Sequence, residues 1–367
     1  MKPILRFTDF TDDYIESKLK NYVDVYDGTH ETPNYVDNGI KFISVENIKD
    51  LLKSDKYIPE NDYNKYKIKP KYNDVFMTRI GDIGTPAIYK SNAPLAYYVS
   101  LALLRSKNES LLYPDYLNQY ISNQRFQKEL HDRTIHVAFP KKINTGEIGE
   151  CNINIPTIEE QTKVSNFLSL LDKKIELQSK KIEDLKLFKL YIRNRVFSNT
   201  LDISTKLKDI VSCESSNITL ADIEEDYGTY PIYGANGLIK NIGTYKFDKE
   251  YIAIVKDGAG VGRTMICSKC SSILATMNSL IIKNNYPLNY ICELINTINF
   301  DKYIVGSGIP HIYFKDYSNE EFKLHNIDIA SKLDKIFKTL DHKIELSSIK
   351  LNKLIELKKG LMQNMFV

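Results

Sequence analysis

The chain has 367 residues, 43% hydrophobic and 26% charged, with 25 tyrosines, no tryptophan and a net charge of +3. That balance fits a soluble globular protein of two or three domains and excludes a disordered or fibrous chain. No run of about 18 apolar residues marks a membrane span, the opening MKPILRFTDFTDDY lacks a signal-peptide core, and the 5 cysteines are an odd, scattered count, so a cytoplasmic chain without a disulfide framework is expected.

Residues 1–155 read as a first mixed α/β block. Strands are expected at Lys41–Val45 and Asp74–Thr78, turns at Asp27-Gly28 and Asn38-Gly39, and a helix over Tyr116–His131. In YNKYKIKPKY (Tyr63–Tyr72), Lys65, Lys67, Lys69 and Lys71 alternate. An extended strand would set all four on one side, about 7 Å apart, and Pro70 would place it at a sheet edge. Such a row could track phosphates. The alternative is a solvated edge that lysine protects from aggregation. Three turn sets carry residue types able to read base edges. They are Thr29 and His30, then Thr78 and Arg79 with Asp82 and Thr85, then Arg133 and His136. Any surface loop holds such residues, so each is a candidate only.

Residues 156–198 read as one long helix. Pro156 precedes Thr157 and Glu160, which together suit a capping box. Leu171, Ile175, Gln178, Ile182, Leu185, Lys189, Ile192 and Val196 step by four and three, a heptad seam with two polar positions. A helix of roughly 40 residues would be about 60 Å long.

Residues 199–325 form a second block, with strands expected at Tyr251–Lys256 and Ser279–Ile282 and turns at Asn236-Gly237 and Gly306-Ser307-Gly308. DGAGVG (Asp257–Gly262) has the look of a nucleotide- or S-adenosylmethionine-binding loop. Arg263 stands where the third glycine would be, and the following RTMICSKCSS has no helical period. A true phosphate loop opens a helix, so the stretch reads as a turn. Cys267 and Cys270 lack the second close pair that a structural zinc site needs, and the 6 histidines show no metal or triad spacing. No catalytic residue is therefore named. Candidates for base or phosphate contact here are Asn236, Lys256 with Asp257, Arg263, Thr264, His311 and Lys315.

Residues 326–367 carry a second helix with the same seam: Leu340, Ile344, Ser347, Leu351, Leu354, Lys358, Leu361 and Met365. LDKKIEL (Leu171–Leu177) returns as LDHKIEL (Leu340–Leu346), and 11 of 29 positions are identical when 170–198 is laid on 339–367. Lys173 and His342 differ and lie off the seam. The blocks echo each other more faintly: RIGDIGTPAI (Arg79–Ile88) lines up with DGAGVGRTMI (Asp257–Ile266). A tandem repeat of block and helix follows. The economical partner for each narrow seam is the other copy, antiparallel, since their polar interruptions match. Two separate helices, each packed on its own block, are the alternative. The charge excess lies in the helices, 9 Lys+Arg against 6 Asp+Glu in 156–198 and 8 against 5 in 326–367. The blocks net 0 and −3.

Two variable-looking α/β blocks, each followed by a near-identical helix, resemble the specificity subunit of type I restriction–modification systems. DGTHETPNY, GIKFISVENI, DVFMTRIGDIGTPAIY, YPIYGANGLI and INIPTIEEQTKVSNFLSLLDKKIEL look like that family too, and the resemblance covers the whole chain. It implies two target recognition domains, 1–155 and 199–325, held apart by an antiparallel coiled coil of the helices 156–198 and 326–367 with pseudo-two-fold symmetry. Each domain would read half of a split site in double-stranded DNA, and the chain would be non-catalytic. Two adenine-methylating modification subunits would dock on it, and restriction/translocase subunits would join for cleavage. S-adenosylmethionine, ATP and magnesium would belong to those partners. The second half departs from the pattern, having LHNIDIASKLDKIF in place of the IPTIEEQ helix start. The rival readings are a coiled-coil protein-binding scaffold, a DNA mimic, and the specificity subunit of another phage-defence complex.

Overall fold

The structure, a computed structural model, describes residues 2–198 and 203–366. The expected domain boundary at 198/199 and the last repeat position, Val367, fall at or beyond the edges of those residues. The chain divides into two compact units, Met1–Leu177 with Leu351–Val367, and Gln178–Lys350. Each unit holds one α/β block and part of both long helices, so this division cuts across the four sequence segments.

In the first unit the strands are β1 (Ile15–Lys18), β2 (Val23–Asp27), β3 (Ile40–Ile43), β4 (Tyr57–Ile58), β5 (Val75–Thr78), β6 (Pro86–Ile88), β7 (Leu95–Tyr97), β8 (Leu101–Ser106) and β9 (Asn152–Ile155). They form an antiparallel sheet β2-β8-β5-β6, a mixed sheet β4-β3-β7 and the pair β1-β9. β5 is buried along its whole length because both faces are covered. Val75 and Met77 face a core with Leu117 and Leu130, while Phe76 faces a second core with Ile43 and Tyr97.

In the second unit the strands are β10 (Ile203–Lys206), β11 (Val211–Ser215), β12 (Tyr230–Gly234), β13 (Gly237–Ile242), β14 (Tyr251–Val255), β15 (Thr264–Cys267), β16 (Ser272–Ile273), β17 (Met277–Ile282) and β18 (Glu321–Leu324). The sheets are β11-β17-β14-β15, β13-β12-β16 and β10-β18. Strand for strand, this is the order of the first unit. β14 is again buried on both faces, Ile252 and Ile254 toward Tyr290 and Ile291, and Tyr251, Ala253 and Val255 toward Phe247 and Ile273.

Two local expectations are corrected. The expected helix Tyr116–His131 is two helices, Pro114–Ile121 and Gln124–Asp132. Asn123 breaks it, because its side chain accepts from the Phe126 amide at 3.0 Å and so caps a new start. The expected lysine strand at 63–72 is absent. Residues Glu60–Lys65 are helical, favoured by Pro59 and the acidic first turn, and the chain then runs irregularly. Lys65 pairs with Asp62 at 2.6 Å, and Lys69 sits 4.6 Å from the centre of the Tyr63 ring. The four ammonium groups therefore form no row.

The long helices are Ile158–Ser198 and Ile327–Met365, 41 and 39 residues. Thr157 accepts from the Glu160 amide at 3.4 Å, half of the expected capping box. The other half is missing because the fully buried Glu160 carboxylate turns to Arg6, at 2.8 and 2.7 Å, and to the Tyr14 hydroxyl at 3.0 Å. The second helix starts differently, on Asn326, whose side chain accepts from the Ile329 amide at 3.0 Å.

Within the second unit, Gln178 meets the Ser347 carbonyl at 3.0 Å, Lys189 meets Asp341, and Phe197 stacks 6.4 Å from Phe337. The partner number falls as the first rises, so these segments run antiparallel. Gln178, Ile182, Leu340 and Ser347 are buried, and Ile175, Leu185, Ile344 and Leu351 half-buried, as the seam requires. In the first unit Leu171 and Leu361 pack against the core that contains Met365, Leu354 is buried, and Lys358 meets Asp172. Lys173 and His342 are exposed.

Lys189 also reaches Glu293 at 2.7 Å, and Arg193 binds the same carboxylate at 2.7 Å. Burial pushes the Lys189 pKa down, but Asp341 and Glu293 more than offset it and hold the ammonium above its ordinary value. Glu293 is 4% exposed, so Glu293→Ala removes the carboxylate that Arg193 and Lys189 share and leaves Lys189 with Asp341 alone. The expected loss is about 3–5 kcal/mol in urea unfolding, with Glu293→Gln recovering part of it.

Candidate nucleic-acid interface

In the first unit the candidate residues gather around Asp27, at the end of β2. One carboxylate oxygen accepts from the Gly28 amide at 3.1 Å and from Arg79; the other meets His30 Nε2 at 2.9 Å. Gly28 is obligatory, because a Cβ there would stand 2.4 Å from the Tyr98 carbonyl oxygen. Arg79 is only 6% exposed, and it also donates to the carbonyls of Ile143 at 3.0 Å and Val99 at 3.2 Å. Thr78 is fully buried, and its hydroxyl accepts from the Thr85 amide at 2.9 Å. Thr78 thus ends β5 as a buried strand residue, and Arg79 follows it in the interior. Arg79 is a bracket that joins three chain segments through Nε and Nη1; none of these bonds uses its Nη2 amino group. Sequence reasoning singled out Arg79 for its chemistry and missed its partner, Asp27, whose signal was the Asp-Gly turn three residues before His30.

Thr29, Lys65, Tyr66 and Lys67 line a 220 Å³ recess beside Asp27. His30, Lys65 and Lys67 are exposed, while Lys69 is half-buried. Asp82 is exposed and accepts from the Thr85 hydroxyl at 2.7 Å. Arg133 is held by Glu147 at 3.0 Å, and His136 by the His131 carbonyl at 2.8 Å. In the second unit, exposed Arg263 meets Asn236 at 3.0 Å. Thr264 donates to Asn296 at 2.7 Å and faces inward. His311 pairs with Asp257 and packs 4.2 Å from the Tyr313 ring, which Lys315 covers at 5.3 Å. Lys256 is half-buried, and its carbonyl accepts from the Ile312 amide at 3.0 Å.

The DGAGVG stretch leads from β14 into β15 and opens no helix. It therefore offers no helix N-terminus to a phosphate. Burial lifts the Cys267 thiol to about 12, far from the thiolate that a metal would need. Among the described residues no group of three or more His, Cys, Asp or Glu is placed to hold a metal, and no helix is long and apolar enough to cross a membrane.

Comparison with known proteins agrees with this doubled architecture. The family model for the type I restriction modification DNA specificity domain matches twice, over residues 16–187 and 204–357. A curated relative, the MjaVIII type I restriction enzyme specificity subunit of Methanocaldococcus jannaschii, is 24% identical over 202 residues, 52% of this chain and 47% of that one. The match thus spans about half the length of that relative. The S subunit of a type I restriction–modification system from M. genitalium has the same fold, with a TM-score of 0.68 at 16% identity over 100% of this chain and 99% of that one. A chain from a study of type I R-M complex assembly matches with a TM-score of 0.55 at 11% identity, covering 97% of this chain and 98% of that one.

The bracket makes a specific prediction. Arg79→Met should lower stability by about 2 kcal/mol, since it leaves the Ile143 and Val99 carbonyls without this donor, while Asp27 keeps the Gly28 amide and His30. Arg263→Ala, at the surface, should change it by under about 0.5 kcal/mol. Urea unfolding of the two variants checks both.

Proposed function

Because the chain belongs to the type I restriction–modification DNA specificity family, we propose that it reads a bipartite site in double-stranded DNA, one half-site per unit, and directs adenine methylation and restriction by partner subunits. The observation that carries this reading is the repetition of one strand order in both units with different side chains on the equivalent loops. A shared scaffold with divergent loops suits two unlike half-sites. The chain itself is non-catalytic on this reading. Two modification subunits bind it, and restriction/translocase subunits join them.

S-adenosylmethionine, ATP and magnesium belong to those partners, because the residues here do not fit them. Among the described residues, the glycine-bearing loops RIGDIG and DGAGVG both run strand to strand. The blocks net 0 and −3, so much of the phosphate neutralisation falls to the modification subunits. The isolated chain should therefore bind DNA weakly, and gel-shift affinity should rise when modification subunits are added. An affinity that stays unchanged on their addition would contradict that division of labour.

The decisive experiment co-expresses the chain with its adenine methyltransferase and maps methylated adenines across the genome. The expected result is a split motif that disappears when this chain is deleted. Methylation without such a motif, or independent of the chain, rejects the reading.

A further inference from the structure

Each unit carries a short hairpin that neither its core nor its sheets explain. In the first unit it spans 135–142, closed by the Ile135 amide on the Lys142 carbonyl at 2.8 Å. In the second it spans 305–311, closed by Val305 and His311, which exchange both backbone hydrogen bonds at 2.9 Å. Both hang from the same place in the fold. The Gly81 amide, after β5, donates to the Lys141 carbonyl at 2.8 Å, and the Gly258 amide, after β14, donates to the Pro310 carbonyl at 2.9 Å. The Ile143 amide reaches the Arg79 carbonyl at 3.0 Å, and the Ile312 amide reaches the Lys256 carbonyl at 3.0 Å. The equivalent attachments make the hairpins one feature written twice.

Their tips share an unusual chemistry. Phe139 is 103% exposed and Val137 96%, while Ile309 is 71% exposed. Phe139 and Ile309 each immediately precede a proline. A bulky apolar side chain held wholly in water gains nothing from folding. The bases of the hairpins are nonetheless firm. Gly306 adopts a φ of +95°, and a Cβ there would stand 2.5 Å from the Ile309 carbonyl oxygen, so that turn demands glycine. His136 packs at a tilt, 4.5 Å from the His131 ring, and bonds the His131 carbonyl. Lys141 and Lys142 flank the first tip, and Lys256 and Lys315 stand near the base of the second.

We propose that these hairpins are wedges: Phe139 in the first unit and Ile309 in the second insert between stacked bases of their own half-site, while the neighbouring lysines meet phosphates. Apolar side chains on basic supports unstack base steps in this way, and the duplex is read partly through its deformability. The inference rests on the bipartite DNA reading above. It extends that reading from hydrogen-bonding loops to two residues that carry no hydrogen bond at all. Neither residue is covered by its own unit, so a change at the tip leaves the fold intact.

The test uses the full chain assembled with its modification subunits and a duplex bearing the methylated motif, with 2-aminopurine placed in turn at each position of both half-sites. The wild-type complex should brighten one step per half-site several-fold. Phe139→Ala should abolish the signal in one half-site only and weaken binding about tenfold; Ile309→Ala should do the same in the other. Phe139→Leu should retain the signal. Unchanged thermal unfolding will show that the variants fold. If the complex binds the split site but no step brightens, or if the alanine variants bind and fluoresce as wild type, the wedge is wrong and the bipartite reading survives. If Phe139→Ala instead loses its modification subunits without DNA present, the tip is a protein contact and the wedge is also wrong. If even the wild-type complex ignores the motif, the bipartite reading itself fails.

Discussion

The reciprocal pairing of the two long helices is the contact on which the rest depends. The aspartate of each repeat copy meets the lysine of the other: Asp172 with Lys358 in the first unit, Asp341 with Lys189 in the second. The terminal phenylalanines complete the exchange. Phe366 packs 5.4 Å from Tyr116 and 5.5 Å from Tyr120, and Phe197 packs 5.3 Å from Tyr290. Each core is therefore finished by the helix that follows the other block. Neither block owns all the apolar surface that it needs, which is why the charged, leucine-rich stretch is written twice. Leu171, Asp172, Ile175, Leu185, Lys189 and Phe197 are repeated at the contact between the helices, while the equally repeated Lys174, Glu176, Leu177, Ser179 and Lys181 are exposed.

The ion pairs are half-buried, and such pairs add little net stability when set against a hydrophobic alternative. Their value here is in register. A lysine at a seam position is tolerated only where an acceptor waits, so a slip of one turn would strand Lys189 and Lys358 beside apolar neighbours. Gln178 against the Ser347 carbonyl acts in the same sense. The polar interruptions thus fix the alignment, and the leucines and isoleucines supply the burial.

Much of this was legible in the sequence, for a physical reason. Helix period and an internal repeat are carried by many residues, so the long helices and their antiparallel pairing survive single misreadings. β5 and β14 were readable as short apolar runs. The lysine row was misread because alternation over ten residues fits a strand only if nothing local competes; Pro59, Glu60 and Asp62 start a helix instead. The helix over Tyr116–His131 was misread because a buried asparagine at 123 looks like any polar residue until its cap is seen. Arg79 was noticed for its chemistry, but its burial depends on Asp27, Ile143 and Val99, far away in the chain. The exposed tips at Phe139 and Ile309 were invisible to periodicity, since an apolar residue beside proline reads as core or turn.

The same attachment is also built with different side chains in the two units. In the first, the Arg79 guanidinium holds the end of the hairpin through the Ile143 carbonyl and ties it to Asp27. In the second, that work passes to His311 and Asp257, on the hairpin and the turn themselves. The backbone hydrogen bonds that anchor the two hairpins are alike, while the side chains that brace them are not. A loop held by its backbone can change its surface chemistry without disturbing the sheet beneath it, because the sheet is buried through its central strands, β5 and β8 in the first unit and β14 and β17 in the second. That separation lets one strand order serve two unlike surfaces in a single chain.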